Sequence, residues 1–239
     1  KRGAFPISNG MELDSLWDLI FPSSCVNCKR NLPKGEIVCN SCLEEIPLHR
    51  TFFCGACRAR LPDNKKICHL NFPYLLAAAS DYENATLKNL IQALKFQFIK
   101  SAADSLGKLL IRYAEAIRFE NSNFLVIPVP LGKERERKRG FNQAELISET
   151  FADHFKLPLA TSSLIRPKNS PPQSEIKDFE KRRLNVKNCF SVQNGEGLKG
   201  KHIILIDDVT TSGATLYEAA RILKACGAKK IIAFTAAKT

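Results

Sequence analysis

The sequence predicts an α/β fold, a doubly wound and mainly parallel sheet, with a smaller metal-binding module on its N-terminal side. Three observations lead there. Apolar runs of strand length recur from Tyr74 onward, amphipathic helical stretches separate them, and six of the nine cysteines stand in C-x-x-C pairs before residue 58. Strands buried on both faces read as continuous apolar runs, and helices between them demand crossover connections that make neighbouring strands parallel.

Residues 74–79 read as the first strand. A helix follows with Leu87, Leu90, Ile91, Leu94 and Phe98 on one stripe, then a second with Leu106, Leu109, Leu110, Tyr113 and Ile117; both follow the 3.6-residue period of a helix with one buried face. Ser101 with Asp104 three residues on is the pattern of a capping box at the second helix. Residues 124–129 form a buried-type strand, and 143–155 a helix with Ala144, Ile147, Phe151 and Phe155 in register. A strand over 202–206, a helix over 214–225 with Gly227 to close it, and a strand over 230–236 complete the set. Residues 166–187, with three prolines and many charges, read as a mobile flap. In a sheet of this kind, ligands bind beyond the C-terminal strand ends.

A chain of 239 residues, 44% hydrophobic and 25% charged, is an ordinary globular composition with room for one or two domains. The texture changes at Tyr74, which divides the chain into an 11–73 zinc-finger module and a 74–239 domain. The longest apolar run, 124–129, is far short of the ~20 residues of a membrane span. The Lys1-Arg2 start has no apolar stretch of a secretory signal behind it. Met11 is the sole methionine, so the native start is read there and residues 1–10 as a remnant.

C-x-x-C pairs without a secretory signal read as metal ligation in a reducing compartment, hence a cytoplasmic protein. Cys25, Cys28, Cys39 and Cys42, with ten residues between the two pairs, can place four thiolates around one structural Zn²⁺. Little else in that polar, Pro- and Gly-broken segment could fold it. Cys54 and Cys57 resemble half of a second site, but their remaining partners are only Cys68 and His69, with Asn71 where another C-x-x-C would supply the last sulfur. Adjacent residues seldom bind one ion with good geometry, so a second zinc stays open. Cys189 and Cys226 read as small buried hydrophobes.

Residues 203–215 run from strand through Asp207 and Asp208 into a loop of hydroxyls, Val209, Thr210, Thr211, Ser212, Gly213, Ala214 and Thr215, and then into a helix. Backbone N–H groups at such a loop and helix start attract phosphate, and the carboxylates accept hydrogen bonds from ribose hydroxyls. Gly213 permits close backbone approach. Neither the P-loop spacing nor the G-x-G-x-x-G of a dinucleotide site is present.

This segment is similar to the signature of type I phosphoribosyltransferases, which bind phosphoribosyl pyrophosphate (PRPP). With residues 126–130, the run Lys138 to Gln143, Pro172-Gln173, Arg182 to Val186 and the C-x-x-C pairs, the chain resembles the ComF (ComFC) family of bacterial competence proteins. The resemblance covers essentially 25–239 and implies a type I phosphoribosyltransferase-like fold. It implies that Asp207 and Asp208 hold the ribose and are the catalytic pair of any transfer. The loop 210–215 takes the 5′-phosphate, and the turn at Pro130 and Leu131 faces pyrophosphate with Mg²⁺. Asn71 departs from the family pattern, which carries a cysteine there.

Formal net charge is +12. Lys133–Arg139 and residues 177–187 each carry five basic and two acidic residues, more than pyrophosphate alone needs. Lys95, Arg135, Arg137, Lys138, Arg139, Lys181, Arg182 and Arg183, interleaved with Phe141, Phe179 and Phe190, could track single-stranded DNA, phosphates on the cations and bases on the rings. Lys95 and Phe96 also match the family, although Phe96 could pack in the core. The first reading is a cytosolic DNA-uptake factor of natural transformation that binds single-stranded DNA and PRPP, with DNA-uptake proteins at the inner face of the membrane as partners. The second is an active phosphoribosyltransferase. A PRPP-sensing transcription regulator ranks last, for want of a helix-turn-helix.

Overall fold

The computed structural model describes residues 23–61, 68–120, 122–167, 186–193 and 195–239. A short helix, α1 (Asn40–Glu44), leads into two small strands, β1 (Phe52–Cys54) and β2 (Arg60–Leu61). Then come β3 (Leu75–Asp81), α2 (Ala85–Phe96), α3 (Ser101–Ala116), β4 (Phe124–Pro128), α4 (Lys133–Arg139) and α5 (Gln143–Phe155). The antiparallel pair β5 (Leu164–Ile165) and β6 (Ser191–Val192) precedes β7 (His202–Thr210), α6 (Ala214–Ala225) and β8 (Lys230–Lys238). The main sheet has the order β2-β1-β3-β8-β7-β4, parallel from β3 to β4 and antiparallel where β1 and β2 join.

Alternation along β7 explains why helices cover both faces. Ile204 and Ile206 pack with Val126, Ile232 and Phe234 under α2, α3 and α5, whereas Ile203 and Leu205 pack with Ile127, Ile231 and Ala233 under α6. Each face buries apolar side chains completely, which stabilises at roughly 25 cal/mol per Å² removed from water. The antiparallel β1 pairs Cys54 with Leu75, so the sheet runs through the expected boundary at Tyr74.

Several expectations shift. α2 ends at Phe96; Phe98 takes a left-handed φ of 58° and stands outside the helix, while Ile99 N–H bonds back to the Ala93 carbonyl at 3.1 Å. The capping box at Ser101 does not form. The chain leaves that left-handed turn already helical at Lys100, which is the N-cap, so Ser101 lies inside the first turn, and Asp104 pairs with Lys108 at 2.8 Å instead. Lys133–Arg139, read only as a charge run, is a helix closed by Gly140 in the left-handed region at φ 77°. β7 continues through Asp207 to Thr210 because Val209 and Thr210 pair with Ala237 and Lys238. Cys189 is buried as expected, while Cys226 is half-exposed. The 166–187 flap lies mostly outside the described residues.

Candidate functional site

Two cysteine clusters form on the N-terminal side. The donor atoms of Cys25, Cys28, Cys39 and Cys42 lie within 4.8 Å of one another, and so do those of Cys54, Cys57, Cys68 and His69. The first C-x-x-C pair of each cluster makes the same turn. Lys29 N–H bonds to Cys25 O at 3.0 Å and Arg58 N–H to Cys54 O at 2.8 Å, each basic residue in the left-handed region at φ 63° and 60°. The thiols respond to crowding. Burial pushes Cys25 and Cys54 up, but backbone N–H groups outweigh it and bring both down to about 6. Asn27 draws Cys42 down, yet burial and three neighbouring thiols push it up to about 12; Cys54 and Cys57 push Cys68 up to about 12. Sulfurs gathered this closely relieve their repulsion on a cation, and both donor sets suit tetrahedral Zn²⁺. The doubt about adjacent ligands is answered geometrically: His69 Nδ1 stands 3.3 Å from Cys54 Sγ and 3.3 Å from Cys68 Sγ.

The second constellation sits where β7 ends. Pleating carries Asp208 to the face of Ile204 and Ile206, where Lys95 at the end of α2 meets it, Nζ to Oδ2 at 2.9 Å; the Asp208 side chain is 7% exposed. Asp207 lies beside it, its carboxylate accepting from the Asp208 N–H at 2.9 Å. Burial and the neighbouring Asp208 charge raise Asp207 to about 7, against the pull of Lys95. The α4 helix lies alongside. Burial lowers the pKa of Arg139, which faces both carboxylates, and of Arg135, which faces Asp207, Arg139 and Arg166. Among the described residues, Arg135 Nη2 and Gln143 Nε2 are buried side-chain donors with no protein hydrogen-bond partner. A buried donor left unmatched is costly unless an acceptor arrives. Pro130 and Leu131 are half-buried on the turn between β4 and α4. That turn emerges beside β7, since Val129 N–H bonds to Ile206 O at 2.8 Å.

The loop after β7 is short and tight. Gly213 caps α6 at φ 76°, where any Cβ would strain, and Ser212 Oγ accepts from Ala214 N–H at 3.3 Å. Thr211, Ser212, Gly213 and Thr215 are half-buried, while Thr210 is buried. Of the predicted loop residues, Val209 and Thr210 belong to the strand.

The basic and aromatic expectations divide. Arg137 and Lys138 are exposed, while Arg135 and Arg139 face the acidic pair. Lys95 is committed to Asp208 and is no free phosphate contact. Phe141 is buried, with the Lys100 ammonium 5.6 Å from its ring centre, and Phe190 is buried under Arg166 at 5.3 Å, so neither ring is open to a base. Phe96 does not pack in the core; it is 69% exposed, next to Phe98 and Ile99. Lys181, Arg182, Arg183 and Phe179 lie outside the described residues. The residue that sequence reasoning missed is Arg58. Its Nη1 donates to Thr239 O at 3.0 Å, and its Nη2 stands 3.6 Å from where a Cβ on Gly213 would be. Only its place directly after Cys57 could have drawn attention to it.

The sequence matches the Phosphoribosyl transferase domain family over residues 138–239 and the Double zinc ribbon domain family over residues 16–70. It is similar to Competence protein F of Haemophilus influenzae, 28% identical over 223 residues that span 88% of this chain and 95% of that protein. Competence protein ComFC of Bacillus subtilis is 30% identical over 217 residues, 88% of this chain and 82% of its own. DNA utilization protein YhgH of Escherichia coli K12 is 27% identical over 213 residues, 87% and 86%. A solved glutamine PRPP amidotransferase from B. subtilis, with ADP and GMP, overlies 57% of this chain and 26% of its own at a TM-score of 0.38 and 17% identity.

Proposed function

The chain belongs to the ComF (ComFC) family of competence proteins, and from that premise we propose that it is a DNA-uptake protein of the cytosol that binds single-stranded DNA and holds PRPP at the end of β7. The DNA role rests on relatives named for competence and DNA utilization. The observation that carries the PRPP reading is charge arrangement. A carboxylate pair is surrounded by Lys95, Arg135 and Arg139, with Arg135 Nη2 buried and unmatched, and a glycine-capped helix starts a few residues after the pair. Asp207 and Asp208 accept from ribose hydroxyls, the 211–215 N–H groups and hydroxyls take the 5′-phosphate, and Arg135 and Arg139 face pyrophosphate accompanied by Mg²⁺. Lys95 holds the Asp208 carboxylate in place until the sugar arrives.

Contact with the inner face of the membrane runs through uptake partners; among the described residues no helix is long and apolar enough to cross a membrane. DNA phosphates meet the exposed Arg137 and Lys138, and Phe96 offers the open ring that Phe141 does not. Catalysis is the second reading, favoured by Asp207: a carboxyl raised to about 7 in a site rich in cations can exchange a proton while Arg135 and Arg139 absorb charge on departing pyrophosphate. Titration of the zinc-loaded chain with a short oligonucleotide, then with the same oligonucleotide made abasic, tests the DNA arm. Phe96→Ala weakens binding to normal DNA by about 1–3 kcal/mol and leaves abasic binding unchanged. Equal losses on both would rule out stacking on this ring.

A further inference from the structure

We propose that the second cysteine cluster is a lever on the phosphate loop: metal held by Cys54, Cys57, Cys68 and His69 fixes Arg58 in the turn from which it braces that loop, so affinity for a phosphorylated ligand follows occupancy of this cluster alone. The inference deepens the PRPP reading and rests on it.

Arg58 directly follows a ligand. Its left-handed φ of 60° is uncommon for a side chain of this size, and the turn is held by Arg58 N–H to Cys54 O and Cys54 N–H to Ala59 O, at 2.8 and 2.9 Å. Cys57 and Cys68 are exposed, with Sγ atoms 3.4 Å apart, so the cluster is accessible to chelator and oxidant. From this turn the half-buried guanidinium bonds to Thr239 O, and Thr239 N–H bonds in turn to Thr210 O, the residue at the start of the loop. The Tyr74 phenol lies on the same side, its oxygen 2.9 Å from the Cβ position of Gly213. Tyr74 stays neutral, since burial raises its pKa, so the fixed charge beside Gly213 is that of Arg58. Gly55, within the knuckle, is pressed on the Tyr74 carbonyl and the Phe72 ring, and Phe72 packs on Tyr217 of α6 at 5.3 Å. The cluster is thus tied to both ends of the loop. Arg58 is a positioning residue that also adds a cation to the anion's surroundings.

The test measures zinc content and PRPP affinity with Mg²⁺ by calorimetry on the full chain. Arg58→Ala keeps both zinc equivalents and weakens PRPP about tenfold or more, the scale of one charge-assisted hydrogen bond, while Arg58→Lys recovers part of the loss. Cys57→Ser with Cys68→Ser loses one zinc equivalent and weakens PRPP by the same factor, and adding Arg58→Ala to it causes no further loss, because both act through one side chain. Cys28→Ser loses the other zinc and leaves PRPP affinity unchanged. If the double cysteine variant fails to fold, Arg58→Ala with native zinc content still decides. A wild type that binds PRPP alongside an Arg58→Ala variant that binds equally, or losses that simply add, overturns the lever alone. A wild type that binds no PRPP removes the reading beneath it.

Discussion

The C-x-x-C turns at Cys25–Cys28 and Cys54–Cys57 are near copies in backbone and differ in the side chain carried directly after the second cysteine. Lys29 is exposed and bonds back to Val26 O at 3.3 Å, within its own turn. Arg58, in the same left-handed position, reaches across to Thr239 and the loop before α6. The first cluster seats on the helices instead, where Asn89 of α2 donates to the Val26 carbonyl at 3.2 Å and Arg112 of α3 ties down the Leu43 and Glu44 carbonyls at 2.6 and 3.0 Å. The second is joined to the sheet through β1 and to the site through the Arg58 guanidinium, with Phe72 packed on Tyr217 of α6 beside it. A repeated metal motif can therefore hold a fold in one copy and address a ligand in the other, and the side chain after the knuckle decides which.

The largest expected effect separates the clusters by stability. Cys39→Ser removes the metal of the first, whose binding free energy is of the order of 10 kcal/mol in small zinc modules. Limited proteolysis then cuts within residues 23–46 while PRPP affinity stays within about twofold of wild type; a large loss of affinity would erase the distinction between the copies.

Glycine substitutions refine the contrast. A Cβ on Gly55 stands 2.5 Å from the Tyr74 carbonyl, whereas Gly35, at φ 87°, has nothing within 4 Å. Gly55→Ala should cost about 3 kcal/mol through overpacking, and Gly35→Ala about 1 kcal/mol from backbone strain alone. Urea unfolding measures both, and equal costs would mean that the second knuckle is no more tightly seated than the first.

On the loop side, Asp207 titrates near 7 when folded and near the ordinary carboxylate value when unfolded. The folded state then holds an extra proton between these limits, so the unliganded protein loses stability as pH rises from about 4 to 7. Asp207→Asn should flatten that decline in thermal unfolding, and an unchanged profile would place the titration elsewhere. The smallest effect is Lys29→Ala, which should leave stability within about 0.5 kcal/mol and PRPP affinity unchanged. A loss matching that of Arg58→Ala would show that charge near either knuckle serves equally.

Much of the fold and part of the site are legible in the sequence. Apolar runs locate β3, β4, β7 and β8, because burial on both faces leaves few polar residues to blur a strand. The acidic pair and hydroxyl loop are read from adjacency alone, as are the four ligands Cys25, Cys28, Cys39 and Cys42. The features that escape depend on contacts between distant segments. Lys95 reads as a DNA contact until the fold sets it against Asp208, and Phe141 as a stacking ring until Lys100 covers it. The second cluster stays open because spacing gives no hint that the turn at Cys68 and His69 directs both side chains to one point. Arg58 carries no local signal beyond its position after Cys57.

The comparison of the two knuckles depends on one property of the site, that the carboxylates and loop at the end of β7 bind an activated pentose phosphate. Calorimetric titration of the zinc-loaded chain with PRPP and Mg²⁺, beside Asp207→Asn/Asp208→Asn, measures that property. Saturable binding by the wild type is expected, with a loss of about a hundredfold or more in the double variant, as two charged hydrogen-bond acceptors are removed. Equal heats from both proteins, or none from either, would refute it.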